Sequence, residues 1–191
     1  MPRNRYRPQD LGNQRDSRGR PYRETIETAT QPGTGITAGT GTLCKTSIKR
    51  NGDIIVTEML LDLTGLGSST TDLDIIGTGS GAAYLTQITA ANNGTILGGT
   101  MTCFEVPAGG ADDIDLYAAT EATGVFDAGI GTLVETAVIT TGAAWANGDV
   151  KPIIADSIAA NKYLYLTGGE AGTAAAYTAG RFLIRLVGYA A

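Results

Sequence analysis

Residues 42–63, TLCKTSIKRNGDIIVTEMLLDL, decide the fold class of this chain. Two runs rich in apolar and β-branched residues, Thr42 to Lys49 and Ile54 to Leu63, enclose Arg50-Asn51-Gly52-Asp53. An Asn-Gly pair between two such runs favours a tight turn, because both residues tolerate the positive φ angles that a two-residue hairpin loop needs. The pattern therefore predicts an antiparallel hairpin as the first pair of strands in the folded body.

Short apolar runs bounded by turn residues continue to the end of the chain. The 191 residues include 27 Gly, which disfavours long helices. A long strand from Thr95 to Val106 contains Gly98-Gly99, where we expect a bulge, and Pro107 should end it. Ile114 to Ala119 is predicted as a strand in which Ile114, Leu116 and Ala118 share one face and Asp115 and Tyr117 share the other. Nine or ten strands of this kind predict an all-β fold, an antiparallel β-sandwich or jelly roll.

The first 41 residues differ in character from the rest of the chain. Residues 1–23, the Arg-rich arm, contain seven Arg against Asp10 and Asp16, a net +5, which leaves −10 for the remainder of a chain whose net charge is −5. The arm has few apolar residues and cannot bury enough surface to fold alone. A Thr- and Gly-rich linker follows it. We therefore divide the chain into an extended N-terminal arm and linker, residues 1–41, and a β-sandwich body, residues 42–191.

The arginines of the arm are the candidate partner-binding residues. Three interpretations remain open: contacts with nucleic-acid phosphates, an extended strap along an acidic protein surface, or a solubilising tail. We favour a protein surface over nucleic acid, because Tyr6, Leu11 and Tyr22 give the arm anchor points beyond its charge. The seven residues are Arg3, Arg5, Arg7, Arg15, Arg18, Arg20 and Arg23.

The body is poor in charge for a protein that exists as a monomer. Hydrophobic residues form 42% of the chain and charged residues only 17%, against about 25% charged in ordinary soluble domains. Small neutral side chains must therefore cover much of the surface, which suits a protein packed against neighbours. We expect an oligomer, with a homotrimer as the first choice.

The chain lacks histidine, and this excludes most hydrolase mechanisms. Without histidine there is no Ser-His-Asp or Cys-His nucleophile and no histidine-ligated zinc. We expect no enzymatic activity, no cofactor and no metal. The acidic loop of Asp112, Asp113 and Asp115 has two interpretations, a hard-cation site or a solvated turn, and we favour the turn.

We expect structural roles for the cysteines and the tyrosines. Cys44 and Cys103 fall in strand-like runs and are expected to be buried free thiols, although a bridge between neighbouring strands stays open. Tyr163 and Tyr165 share one side of a strand. We expect these two tyrosines to pack in the core, and a ligand-stacking surface is the alternative.

The chain resembles the head decoration, or cement, proteins of tailed bacteriophages. The resemblance rests on the acidic, Gly-, Ala- and Thr-rich β body, on turns such as Ala91-Asn92-Asn93-Gly94, on the ending Thr178 to Tyr189 and on the N-terminal arm. It implies a non-enzymatic virion protein that binds the major capsid protein on the outside of the capsid, often as a trimer. The alternative is a β-sandwich binding module, such as a fibre or lectin-like domain that recognises glycans or a host surface.

The sequence also bears on the compartment. The arm lacks the apolar stretch of a secretory signal, and no run approaches the roughly 20 apolar residues that span a bilayer. We therefore expect a protein made in the host cytoplasm, located on the capsid surface of the virion, with no membrane partner.

Overall fold

The computed structural model describes residues 25–27, 29–154 and 157–190. The Arg-rich arm and its seven arginines lie outside these residues. The fold is mostly β, with 48% strand and 8% helix. The described strands, in chain order, are β1 (Thr25–Glu27), β2 (Leu43–Asn51), β3 (Ile54–Asp62), β4 (Thr86–Ile88), β5 (Thr95–Ala108), β6 (Ile114–Ala119), β7 (Glu135–Ile139), β8 (Val150–Ile154), β9 (Lys162–Gly168) and β10 (Ala179–Tyr189).

The strands form two antiparallel sheets that pack together. The large sheet has six strands in the order β1-β2-β3-β10-β5-β8, and the small sheet has four in the order β4-β9-β6-β7. The helical elements in the described residues include α1 (Thr34–Thr37), α2 (Ala90–Asn93) and a 3-10 turn at Ile130–Thr132. The predicted all-β sandwich is confirmed.

The hairpin predicted from residues 42–63 is present. Strands β2 and β3 pair from Leu43↔Asp62 to Asn51↔Ile54, and Gly52 in the turn has a φ of 62°. Asn51 is the last residue of β2 and pairs with Ile54, so the two loop residues are Gly52 and Asp53, and only Gly52 of the two has a positive φ. Glycine adopts that angle readily, so Gly52 fixes the turn. β3 then pairs with β10 along its whole length, which places the hairpin inside the large sheet.

The long strand β5 has the predicted bulge but does not end where the sequence suggested. The pairing with β10 shifts register beside Gly98, whose φ is 146°. The prediction that Pro107 ends the strand is wrong, because β5 continues to Ala108, which pairs with Ala179. Pro107 is accommodated because it lies at a second irregularity of the ladder, where no regular backbone donor is required.

The predicted strand Ile114–Ala119 is present as β6, and it is buried on both faces although its sequence alternates. All six of its residues are buried, because β9 and β7 flank it and a loop covers its outer side. In that loop, the Trp145 indole N–H donates to the Ile114 carbonyl at 2.8 Å, and the Thr141 N–H donates to Asp115 Oδ1 at 2.7 Å. The covering residues lie far away in sequence, so the local alternation could not reveal them.

The hydrophobic core is shared by the two sheets. Met59, Met101 and Phe182 of the large sheet and Leu116 and Leu164 of the small sheet belong to one buried cluster. Trp145 joins it from the β7–β8 connection, with its ring edge-on to Phe182 at a centroid distance of 5.2 Å. A single core of this kind makes the sandwich one folding unit.

Some residues of the predicted linker belong to the body. Ile36 of α1 is buried in the core, and the backbone N–H groups of Gly33 and Gly35 donate to the carbonyls of Tyr84 and Ala82. A Cβ at Gly33 would overlap the Ala82 carbonyl and a Cβ at Gly35 the Gly81 carbonyl, so the close approach requires glycine. Contacts with the body therefore begin before Thr42.

Candidate functional site

The exposed side of the large sheet is the first candidate surface, and we call it the large-sheet face. Along β10, Phe182, Ile184 and Leu186 are buried in the core, while Arg185 and the other alternate residues point outward. The same alternation holds in β3, where Met59 is fully buried and its neighbours are not. Strand pairing therefore arranges the outward side chains in regular rows.

Exposed apolar side chains concentrate on this face. Of nine large apolar residues exposed in the described chain, seven lie on strands of the large sheet. They are Ile54, Leu60, Leu97, Phe104, Val106, Val150 and Ile154. Val150 is 55% exposed and Ile154 is 70% exposed, and both belong to the edge strand β8. A sheet face that gathers this many exposed apolar side chains is a candidate contact surface for another molecule.

The charges on the large-sheet face are paired. Arg181 lies 2.8 Å from Asp62 and 3.4 Å from Glu105, and Arg185 lies 3.5 Å from Glu58. Burial alone would raise the pKa of Asp62, but hydrogen bonds from Thr64 and Arg181 outweigh it and hold that pKa below its usual range. Exposed pairs add little stability, so their main effect is to offset the charges of Arg181 and Arg185.

The small sheet and its loops present the opposite character. Asp72, Asp112, Asp113, Asp115 and Glu170 come together near the ends of β6 and β9, and we call them the acidic cluster. Asp115 of β6 pairs with Thr167 of β9, and the Gly169 N–H donates to the Asp113 carbonyl at 2.8 Å. Asp72 and Glu170 are exposed, whereas Asp113 and Asp115 are only 3% and 4% exposed.

The prediction of a solvated acidic turn is therefore wrong for Asp113 and Asp115. Asp115 Oδ1 accepts hydrogen bonds from the N–H and the hydroxyl of Thr141 at 2.7 and 3.2 Å. Asp113 is covered by the turn at Gly168-Gly169, where a Cβ added to Gly169 would lie 2.7 Å from Asp113 Oδ1. Glycine is required at that position because the carboxylate packs directly against its backbone.

Asp113 is the least satisfied carboxylate of the acidic cluster. Its Oδ1 is buried and has no hydrogen-bond partner among the described residues. Burial, followed by the charges of Asp115, Glu170, Asp112 and Asp72, raises the pKa of Asp113 to about 6. The carboxylate therefore carries an unbalanced negative charge at neutral pH.

The acidic cluster does not form a ready-made metal site. Within the described ranges, no group of three or more His, Cys, Asp or Glu side chains is arranged to hold a metal ion.

The tyrosines do not form a stacking surface. Tyr165 is buried, and its hydroxyl donates to the Glu121 carbonyl at 2.7 Å. Tyr163 packs edge-on to Tyr84 with ring centroids 5.0 Å apart. Among the described aromatic residues only Phe104 is exposed, and it lies on the large-sheet face.

The cysteines are free, as expected. Cys44 lies on β2 and Cys103 on β5, and β3 and β10 separate these strands in the large sheet. Burial raises the pKa of the Cys44 thiol to about 12 and also raises the pKa of Cys103. A cavity of about 210 Å³ beside Cys44 therefore contains no reactive thiolate at neutral pH.

No protein-family model, curated protein or solved structure matches this chain. No helix in the described part of the chain is long and apolar enough to cross a membrane.

Proposed function

We propose that this chain is a structural virion protein that decorates and stabilises a bacteriophage capsid by binding the major capsid protein. The observation that carries the proposal is the large-sheet face, where seven large apolar side chains are exposed and the arginines are paired with carboxylates. A broad sheet of this composition suits a protein surface, because apolar contacts supply affinity and the paired charges supply orientation.

The other chemistry of the chain supports a binding role over an enzymatic one. The sequence has no histidine, and the burial that raises the pKa of both thiols disfavours a thiolate nucleophile. Glycan recognition, the alternative function, draws its affinity from exposed aromatic rings, and the described tyrosines are packed within the body. The capsid-decoration role is therefore the better supported of the two.

The experiment tests the large-sheet face with three substitutions that keep β-propensity while removing apolar surface. Phe104→Thr, Val150→Thr and Ile154→Thr are combined in one variant, and all three side chains are at least half exposed. Val134→Thr is the control, because Val134 is 64% exposed but precedes β7 of the small sheet. Binding is measured by cosedimentation with purified capsids that lack this protein.

We expect the triple variant to bind capsids at least about tenfold more weakly than the wild type, since each lost apolar contact removes a substantial part of the affinity. The Val134 variant should bind normally. If the triple variant decorates capsids as tightly as the wild type, the large-sheet face is not the attachment surface. If the wild type does not bind capsids at all, the decoration role is wrong.

The Arg-rich arm is proposed as a strap that strengthens attachment. Arginine grips carboxylates with two parallel hydrogen bonds, and a flexible segment gains affinity by covering a large area. Changing all seven arm arginines to Gln should weaken capsid binding, and raising the salt concentration should weaken the wild type in the same direction. Equal binding by the Gln variant would remove the arm from the proposal.

A further inference from the structure

The arm and the acidic cluster are connected to opposite ends of the large sheet. β1 pairs with β2 through Thr25↔Arg50, beside the hairpin turn, and we call this the arm end. The acidic cluster lies where β5 ends and β10 begins: Tyr177, just before β10, donates to the Ala111 carbonyl at 2.9 Å, next to Asp112. β3 alone covers nine residues between these ends, or about 26 Å.

Thr25, the first residue of β1, lies at the arm end of the large sheet, opposite the acidic cluster. β2 runs from the acidic end to the arm end, and β1 is antiparallel to it. Moving from Glu27 back to Thr25 therefore leads toward the arm end.

The two regions are electrostatic complements. Six of the seven Lys and Arg among the described residues lie on strands of the large sheet, and the seventh, Lys162, begins β9. Each charge that perturbs the pKa of Asp113 comes from a carboxylate, so no cation balances that group. The largest concentration of positive charge in the chain is the arm, with seven Arg and a net +5.

We propose that the acidic cluster is the receptor for the Arg-rich arm of a neighbouring copy of this chain. Asp72 and Glu170, which are exposed, and the half-exposed Asp112 accept the guanidinium groups. Asp113 lies behind them, and its buried Oδ1 has no hydrogen-bond partner among the described residues. Guanidinium fits this site because it binds carboxylates at the surface without the compact oxygen cage that a metal ion requires.

The arm is long enough for this contact. Twenty-three residues reach at most about 75 Å when extended, while a body of this size has a radius of gyration of about 15 Å. A head-to-tail contact uses two different surfaces of each copy, so it closes into a ring when the rotation between copies permits. The proposal thus supplies a mechanism for the expected trimer, and it does not depend on capsid binding.

The experiment uses full-length protein and two isosteric variants. The cluster variant carries Asp72→Asn and Glu170→Gln, and the arm variant carries Gln at all seven arm arginines. The control variant, Asp127→Asn with Glu121→Gln, removes the same charge outside the cluster, and Asn tolerates the positive φ of Asp127. Self-association is measured by sedimentation velocity at low and high salt.

We expect the wild type and the control variant to self-associate, and the cluster variant to associate roughly tenfold more weakly, because two carboxylate partners are lost. High salt should weaken the wild type and bring it closer to the cluster variant. A wild type that is monomeric at low salt, or a cluster variant that associates normally, overturns the proposal.

A mixing experiment separates contacts between copies from contacts within one copy. The arm variant keeps an intact cluster and the cluster variant keeps an intact arm, so an equimolar mixture should form a one-to-one complex that neither variant forms alone. Absence of that complex overturns the proposal. Calcium is titrated in parallel: if one calcium ion binds the wild type but not the cluster variant, and the arm variant still self-associates normally, the cluster is a cation site and the proposal is wrong.

Failure here is distinguishable from failure of the proposed function. Capsid binding through the large-sheet face is measured with the Phe104, Val150 and Ile154 substitutions, none of which touches the acidic cluster. If the protein decorates capsids but gives neither the expected sedimentation result nor the mixed complex, the proposed function stands and only this inference is wrong.

Discussion

The two sheets share one core but present different surfaces to solvent. The large sheet exposes apolar side chains and carries six of the seven described cations, whereas the small sheet and its loops carry the acidic cluster. Strand β10 alternates strictly between buried and outward residues, while β6 is buried on both faces. Burial alternates along a strand when the outer face of its sheet is open to solvent, as in β10. It does not alternate when loops also cover the outer face, as in β6.

Removing the residue that joins the two sheets should have the largest effect. Trp145 is buried, packs against Phe182 and donates to the Ile114 carbonyl. Trp145→Ala should lower the free energy of unfolding by about 3–5 kcal/mol, because a large cavity forms and a buried acceptor loses its donor. Denaturant unfolding followed by circular dichroism measures this change. A loss below about 1 kcal/mol would mean that the sheets hold together without the tryptophan.

The covered face should be sensitive to added volume where the open loops are not. Gly169→Ala places a methyl group 2.7 Å from Asp113 Oδ1 and should cost about 1–3 kcal/mol. Gly131→Ala is the matched control, because a Cβ there meets no atom within 4 Å. Thermal unfolding of the two variants should separate them clearly, and equal melting temperatures would contradict the packing of Asp113 beneath the turn.

The acidic cluster should make stability depend on pH in a defined direction. The folded pKa of Asp113 is raised to about 6, above its ordinary value near 4, so the folded state favours the protonated form. The ionised form of Asp113 destabilises the folded state, and this destabilisation is absent below pH 4 and grows as the pH rises through 6. Asp113→Asn should therefore stabilise the protein at pH 7.5 by on the order of 1 kcal/mol and have little effect at pH 4.

Thermal unfolding of this variant and the wild type across that pH range measures the difference. Asp72→Asn, which changes an exposed carboxylate of the same cluster, is the control and should give a smaller dependence. A constant difference between Asp113→Asn and the wild type at all pH values would show that Asp113 titrates normally.

The smallest effect is expected on the large-sheet face. Arg185 lies 3.5 Å from Glu58, and both side chains are in contact with solvent. Arg185→Gln should change the free energy of unfolding by less than about 1 kcal/mol, with the change shrinking as salt is added. A loss well above that value, measured by denaturant unfolding, would show that the face depends on its ion pairs for stability.

Sequence patterns predicted the features that local geometry determines. The hairpin turn at Gly52 and the bulge beside Gly98 depend on positive φ angles that few residues adopt, and both are present. The burial of Asp113 could not be predicted in this way, because the turn that covers it, Gly168-Gly169, lies more than 50 residues further along the chain. Likewise, the sequence assigns Ile36 to the linker, because the backbone contacts of its segment are with Ala82 and Tyr84, which lie far along the chain.

The separation of charges was also hidden in the sequence. Lys45, Arg181 and Lys151 lie on strands far apart in the chain, and only the strand order places them in one sheet. A charge map therefore required the topology, whereas the seven arm arginines could be identified directly. The arm lies outside the described residues, so its role stays a prediction that the sedimentation and mixing experiments test.

Edge strand β8 leaves one edge of the large sheet free, and its sequence affects whether other chains can add there. A free strand edge is a template on which further chains can add and grow into fibrils. Pro152 lies at the centre of β8, and proline is tolerated in an edge strand where its missing N–H faces away from the sheet. An incoming strand would find that donor absent from the middle of the ladder, between the exposed side chains of Val150 and Ile154. Pro152 therefore disfavours strand addition along this edge, although its apolar side chains are exposed.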